Sequence, residues 1–100
     1  MRILLTGKNA VITDPLRTYV EYRLFTSLAR HQAVIRGIAV TIEHNSRNRS
    51  RFRCVVAVDL GPGEQIKIRA SGAHPNAAVD RAAERTSLRL SHRTSQHVSP

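Results

Sequence analysis

Two hydrophobic periods alternate along this chain. From Leu16, apolar residues recur at every fourth position, at Val20, Leu24 and Leu28, which is the spacing of one helix face. It predicts a helix from about Pro15 to about Arg30, with Ser27 and His31 on the edge of the stripe. Thr13-Asp14-Pro15 supplies the start: a hydroxyl or carboxylate to cap, then Pro where a missing N–H costs nothing. A second helical stretch runs from Pro75 to Arg93. At about 100° per residue Val79, Ala82, Ala83, Thr86 and Leu90 fall together, and Arg81, Arg85, Arg89 and His92 gather opposite, with Asp80 and Glu84 beside them. One side is patterned to bury, the other to meet solvent or a partner.

Elsewhere the period is two. Met1 to Thr6 sets Ile3 and Leu5 against Arg2, Leu4 and Thr6, with a turn at Gly7-Lys8-Asn9. In residues 35–44, Ile38, Val40 and Ile42 alternate with Ala39, Thr41 and Glu43. Residues 44–51, HNSRNRSR, contain no apolar residue and read as a polar hairpin loop, a basic finger able to order on phosphate. Arg51 to Leu60 is the longest strand, with Phe52, Cys54, Val56 and Val58 on one face. Gly61-Pro62-Gly63 turns the chain into a last strand, Gln65 to Ser71, whose outer face is polar and basic.

The element order is strand, helix, strand, strand, strand, helix. A strand-helix-strand opening demands a parallel pair with a right-handed crossover, and the hairpins that follow are antiparallel. The pattern therefore predicts an α+β fold: a two-layer βαβββα sandwich with a mixed four-stranded sheet and both helices on one face. A single domain is expected over residues 1–93, with a disordered polar tail at 94–100.

Charge decides the class of partner. The 100 residues carry 16 Lys and Arg against 7 Asp and Glu, a formal charge of +9. Nearly all of it is arginine, whose planar fork suits phosphates, so a polyanion is the natural partner. A membrane surface is not expected, because no apolar run approaches the roughly 20 residues of a spanning helix and neither helix pairs a basic face with a large apolar one. Cys54 is single, which excludes an internal disulfide, and it sits among alternating apolar residues as a small buried hydrophobe. The opening residues lack the apolar run of a signal peptide, which makes the cytoplasm the expected compartment. The five His show no metal-ligand spacing with Cys54, there is no glycine-rich phosphate loop, and the acids are scattered. No enzyme activity, cofactor, metal or small-molecule substrate is expected.

The candidate binding residues follow by face and by loop. Arg81, Arg89 and His92 come from the second helix and Arg30 from the flank of the first; Arg47 and Arg49 come from the hairpin loop. Arg23 and Arg30 are seven apart and share their flank with Tyr19, whose ring covers the edge of the core with its hydroxyl in water. Tyr22 and Phe25 fall opposite the leucines, where a partner surface or weak self-association is the use such aromatics suggest; Leu88 falls on the exposed side of the second helix, and the pattern assigns it no role.

The run Gly7-Lys8-Asn9-Ala10-Val11-Ile12-Thr13, then Leu16-Arg17-Thr18-Tyr19-Val20 with Arg23 and Leu24, resembles the opening of the hibernation promoting factor and ribosome-associated inhibitor family, also called sigma modulation proteins. Ala77-Ala78-Val79-Asp80 with Arg85 and Leu90 resembles that family's second helix. The resemblance implies a fold related to double-stranded-RNA-binding domains, without catalysis. It implies docking on the small ribosomal subunit and its rRNA, over the mRNA channel and tRNA sites, so that idle ribosomes are silenced. Matching positions make Arg23 and Arg85 the implied rRNA contacts. The alternatives are a generic RNA-binding module with no preference for the ribosome and a protein-interaction regulator.

Overall fold

The two periods resolve into seven elements in a computed structural model, which describes residues 2–47 and 51–98. They are β1 (Ile3–Lys8), α1 (Asp14–Leu28), a 3₁₀ helix (Ala29–Val34), β2 (Gly37–Asn45), β3 (Arg51–Gly61), β4 (Glu64–Gly72) and α2 (Pro75–Val98). The sheet order is β1-β2-β3-β4, with β1 parallel to β2 and the other two pairs antiparallel. This is the mixed sheet that the order of periods predicts.

The core lies between one sheet face and the two helices. Ile38, Val40 and Ile42 of β2 and Cys54, Val56 and Val58 of β3 are buried together with Val20, Leu24 and Leu28 of α1 and Val79, Ala82, Ala83 and Leu90 of α2. Thr86 is the polar member of that stripe, and its hydroxyl is satisfied by the main-chain oxygen of Ala82 at 2.7 Å. The small side chains of α2 let the helix lie close to the sheet. Gly72 completes that approach, because a Cβ there would stand 2.8 Å from the Ala78 nitrogen and 2.9 Å from the Ala77 Cβ.

The N-terminal cap of α1 is Thr13, whose hydroxyl accepts from the Leu16 N–H at 3.2 Å, with Pro15 in the first turn. Several boundaries differ from those read from the sequence. Gly7 and Lys8 stay in β1 because they still pair with Ile42 and Glu43; the turn falls instead at Asn9, which takes a left-handed φ of 55°. The polar loop shortens because Asn45 and Arg51 pair across β2 and β3. α1 stops at Leu28 and tightens into the 3₁₀ turn. α2 continues past Arg93 to Val98, no Gly or Pro standing in its way.

Chain direction fixes the two ends of the molecule. Both helices start at the end of the sheet where β1 and β2 finish, beside the β2–β3 turn. The 3₁₀ helix and the β3–β4 hairpin lie at the other end, where Arg36 N donates to the Asp59 oxygen at 2.8 Å.

Candidate nucleic-acid interface

The arginines of α2 are set by a match of two repeats. Four helical residues advance about 6 Å and two strand residues advance about 6.7 Å. An i, i+4 row on a helix running antiparallel to a strand therefore stays in step with alternate strand residues. Arg81 Nη1 donates to the Ser71 oxygen at 2.7 Å and Arg85 Nη1 to the Arg69 oxygen at 2.8 Å. At the far end of the row Arg93 forms a two-pronged pair with the Glu64 carboxylate, both contacts at 2.7 Å. Arg89 occupies the step between, exposed.

These bonds do two things. They occupy main-chain oxygens on the outer edge of β4, one of the two free edges of the sheet, which blunts that edge against pairing with another chain. They also hold the guanidinium forks of Arg81 and Arg85 at the surface, with N–H groups to spare for an anion. The exposed side chains of Lys67 and Arg69 leave β4 toward the sheet face that α2 does not cover, so the strip is carried by α2 along the β4 edge. The sequence places Asp80 and Glu84 beside the arginines. On the folded helix Asp80 and Ser91 instead occupy the α1-facing flank, Asp80 reaching Arg23 and Ser91 reaching His31, while Arg81 and Arg85 lie over the strand edge.

Arg23 is differently placed. It is half-buried between the helices, with Nε 3.0 Å from Asp80 Oδ1 and Nη1 donating to Ser27 Oγ at 2.9 Å. Tyr19 donates its hydroxyl to the same Asp80 oxygen. The expectation that this hydroxyl ends in water is therefore corrected: the parallel packing of α1 on α2 brings a carboxylate to it. That hydrogen bond, with burial, raises the phenol above its ordinary range. With side chains 34% and 42% exposed, the Arg23–Asp80 pair is a partly solvated tie worth about 0.2 to 1 kcal/mol.

Arg30 lies in the 3₁₀ turn that follows α1, exposed at the end of the molecule where β2 begins. His31, next to it, is buried with Nε2 3.4 Å from Ser91 Oγ, and burial followed by the Arg30 charge lowers its pKa. His92 is exposed on α2. Arg47 is exposed in the β2–β3 turn, its main-chain N–H held by Asn45 Oδ1 at 3.0 Å, and Arg49 lies outside the described residues. The structure thus gathers Arg81, Arg85 and Arg89 into one strip, sets Arg30 and His92 toward its far end, and leaves Arg47 at the other end of the sheet.

Three features were not read as site residues from the sequence. Arg93 continues the 81, 85, 89 spacing, so the repeat itself pointed to it. Lys67 and Arg69 stand on the sheet face away from the helices, on an edge strand whose position no local pattern shows. His44 and Phe52 stack with ring centroids 4.5 Å apart at the base of the β2–β3 turn; their pairing depends on strand register.

Cys54 is buried and its thiol is pushed up to about 12, so it holds no thiolate at neutral pH. Among the described residues no group of three His, Cys, Asp or Glu could hold a metal, and no helix is long and apolar enough to cross a membrane.

The fold recurs in solved structures. A ribosomal subunit interface protein from Coxiella burnetii superposes with a TM-score of 0.81 at 23% identity, covering 95% of this chain and 99% of that one. The N-terminal domain of Thermus thermophilus Protein Y superposes at 0.76 with 32% identity, covering 90% and 96%. No curated protein matches the chain by sequence. Residues 3–97 match the pattern of one family, and with it the chain belongs to the sigma 54 modulation protein / S30EA ribosomal protein family.

Proposed function

We propose that this chain is a hibernation factor that binds the rRNA of the small ribosomal subunit through its arginine surface and covers the mRNA and tRNA sites of idle ribosomes. Its family is one of ribosome-associated, non-enzymatic factors, and one structural relative is itself called a subunit interface protein. The observation that carries the reading is the strip that α2 lays along the β4 edge. Arg81 and Arg85 are held in register on that edge through main-chain oxygens, with Arg89 beside them. A row of forks anchored to main-chain oxygens is pre-organised, so little side-chain freedom remains to be lost on meeting phosphates. An extended strip of this kind suits a polyanion rather than a small molecule. A ribosomal role places the protein in the cytoplasm.

The test is sedimentation of the protein with small subunits and with whole ribosomes at graded salt, with initiator tRNA as competitor. The protein should co-sediment at low salt, be displaced by tRNA, and lose affinity with a log–log slope of roughly −0.7 to −0.9 per phosphate neutralised. A flat salt response overturns the nucleic-acid reading. Equal affinity for free duplex RNA would make the chain a generic RNA-binding module.

A further inference from the structure

The sheet has a second face, away from the helices, that the strip on α2 does not use. Strand register places its side chains in cross-strand rows: Lys8, Glu43, Arg53 and Ser71 in one, Thr6, Thr41, Val55 and Arg69 in the next, Leu4, Ala39, Ala57 and Lys67 in the third. The long cations stand on the outer strands and on β3, whereas the centre of the last two rows is small. The result is an open depression floored by Ala39, Thr41, Val55 and Ala57 and walled by Lys8, Arg53, Lys67 and Arg69, with Glu43 between Lys8 and Arg53. Over the whole face Arg2, Lys8, Arg51, Arg53, Lys67 and Arg69 oppose Glu43 and Asp59. Six cations on one side of a sheet exceed what solvation of a small domain requires, and their counter-charge is not supplied within the face.

We propose that this open face is a second polyanion site, taking one single strand of RNA through its phosphates and without regard to sequence. Dimensions select a single strand: the outer strands are three steps of about 4.8 Å apart, roughly 14 Å, which leaves a narrow floor between long side chains. Chemistry selects phosphate contact. Sequence-specific reading of unpaired RNA relies on stacking of bases on aromatic rings, and the four aromatic residues are elsewhere: Tyr19, Tyr22 and Phe25 on α1, and Phe52 on the helix-covered face. An acidic peptide is the competing polyanion. Strand addition, its strongest mode, is obstructed at the β4 edge, because Arg81 and Arg85 already occupy the outward oxygens of Ser71 and Arg69. With one polyanion on the α2 strip and another on the sheet, the domain clamps between two RNA segments. The inference concerns a different surface from the one in the proposed function and can stand or fall separately.

The probe is a twelve-residue oligouridylate, measured by fluorescence anisotropy against salt and by amide chemical-shift mapping on the unaltered protein. Shifts should centre on Ala39, Thr41, Val55 and Ala57. The double change Arg53→Thr/Arg69→Thr keeps strand propensity and should weaken the oligomer at least 10-fold, with a salt slope shallower by about 1.4, or roughly 0.7 for each phosphate lost. Arg17→Gln/Arg36→Gln removes the same charge elsewhere and should leave binding within about 2-fold. Equal loss in both variants, shifts confined to α2, or tighter binding of poly-glutamate than of oligouridylate each overturns the proposal. A protein that binds oligouridylate on the sheet yet never sediments with small subunits would refute the hibernation reading and leave this one intact.

Discussion

Arg85 donates through Nη1 to the main-chain oxygen of Arg69, 16 residues earlier in the chain. One basic residue thereby holds the backbone of another, whose own side chain leaves the strand on the opposite sheet face. The bond fixes where the Arg85 fork stands. It also separates what Arg85 does for the fold, which uses one of its N–H groups, from what its charge offers a partner.

Changing Arg85 and Arg89 together to Gln tests that separation. Helix propensity is nearly unchanged, and one exposed hydrogen bond to the strand edge is lost, a cost of at most about 1 kcal/mol. The melting temperature should fall by no more than about 4 to 8 °C, while co-sedimentation with small subunits should be lost at physiological salt. An unfolded variant would mean the row is mainly structural; undiminished sedimentation would mean the strip is not the interface.

Asp80 holds Arg23 and Tyr19 at once, so Asp80→Ala frees both. Stability should fall by about 1 to 2 kcal/mol, the charged hydrogen bonds being discounted for partial exposure. The Tyr19 phenol, raised chiefly by its bond to Asp80, should titrate at lower pH in an ultraviolet titration. If Arg23 serves RNA, its release together with the extra net positive charge should tighten binding and steepen the salt slope by roughly 0.7 to 0.9. Weaker binding by the folded variant would show that Arg23 must be held by Asp80 to act.

His31 gives the fold an acid limit. Burial, then the Arg30 charge, lowers its pKa below 6.5 in the folded chain. Between that lowered value and 6.5 the unfolded chain binds the proton and the folded chain does not, so stability falls as pH drops through this window. Denaturant midpoints measured from pH 7.5 down to pH 5 should decline in the parent and decline less in His31→Gln. Parallel curves for the two proteins would remove His31 as the cause.

What could be read from the chain depended on the range of the interaction. The stripe Leu16, Val20, Leu24 and Leu28 and the alternation through Ile38 to Ile42 are local, and burial follows them residue for residue. The order of the two periods leaves few topologies, so the mixed sheet was legible as well. The exposure of Tyr22, Phe25 and Leu88 was legible for the same reason. The assignment of Tyr19 was not, because its partner Asp80 is 61 residues away and comes into reach only when α1 packs on α2. The strip had the same difficulty. Periodicity puts Arg81, Arg85 and Arg89 on one flank, but their engagement with Ser71 and Arg69 requires knowing that β4 is an edge and that α2 runs antiparallel to it.

Gly72 joins packing to the site. Its φ is not in the left-handed region, so Ala there should by itself gain about 0.4 to 1 kcal/mol by restricting the unfolded chain. Against this, the new Cβ would stand 2.8 Å from the Ala78 nitrogen and 2.9 Å from the Ala77 Cβ. Both belong to the first turn of α2, which cannot rotate away as a flexible side chain could. The helix must lift, and overpacking of this kind costs about 1 to 3 kcal/mol, so the steric term wins and Gly72→Ala should be net destabilising. Gly37→Ala is the control, with no atom closer than 3.9 Å to its Cβ; it should be neutral or slightly stabilising. The displacement begins one residue from Ser71, whose oxygen anchors Arg81. Binding to small subunits by Gly72→Ala should therefore fall further than its folded fraction accounts for, when both are measured at a temperature where most of the protein is folded. Parent-like stability would show that α2 can lift without cost, and parent-like binding would show that the interface does not depend on the register of α2 on β4.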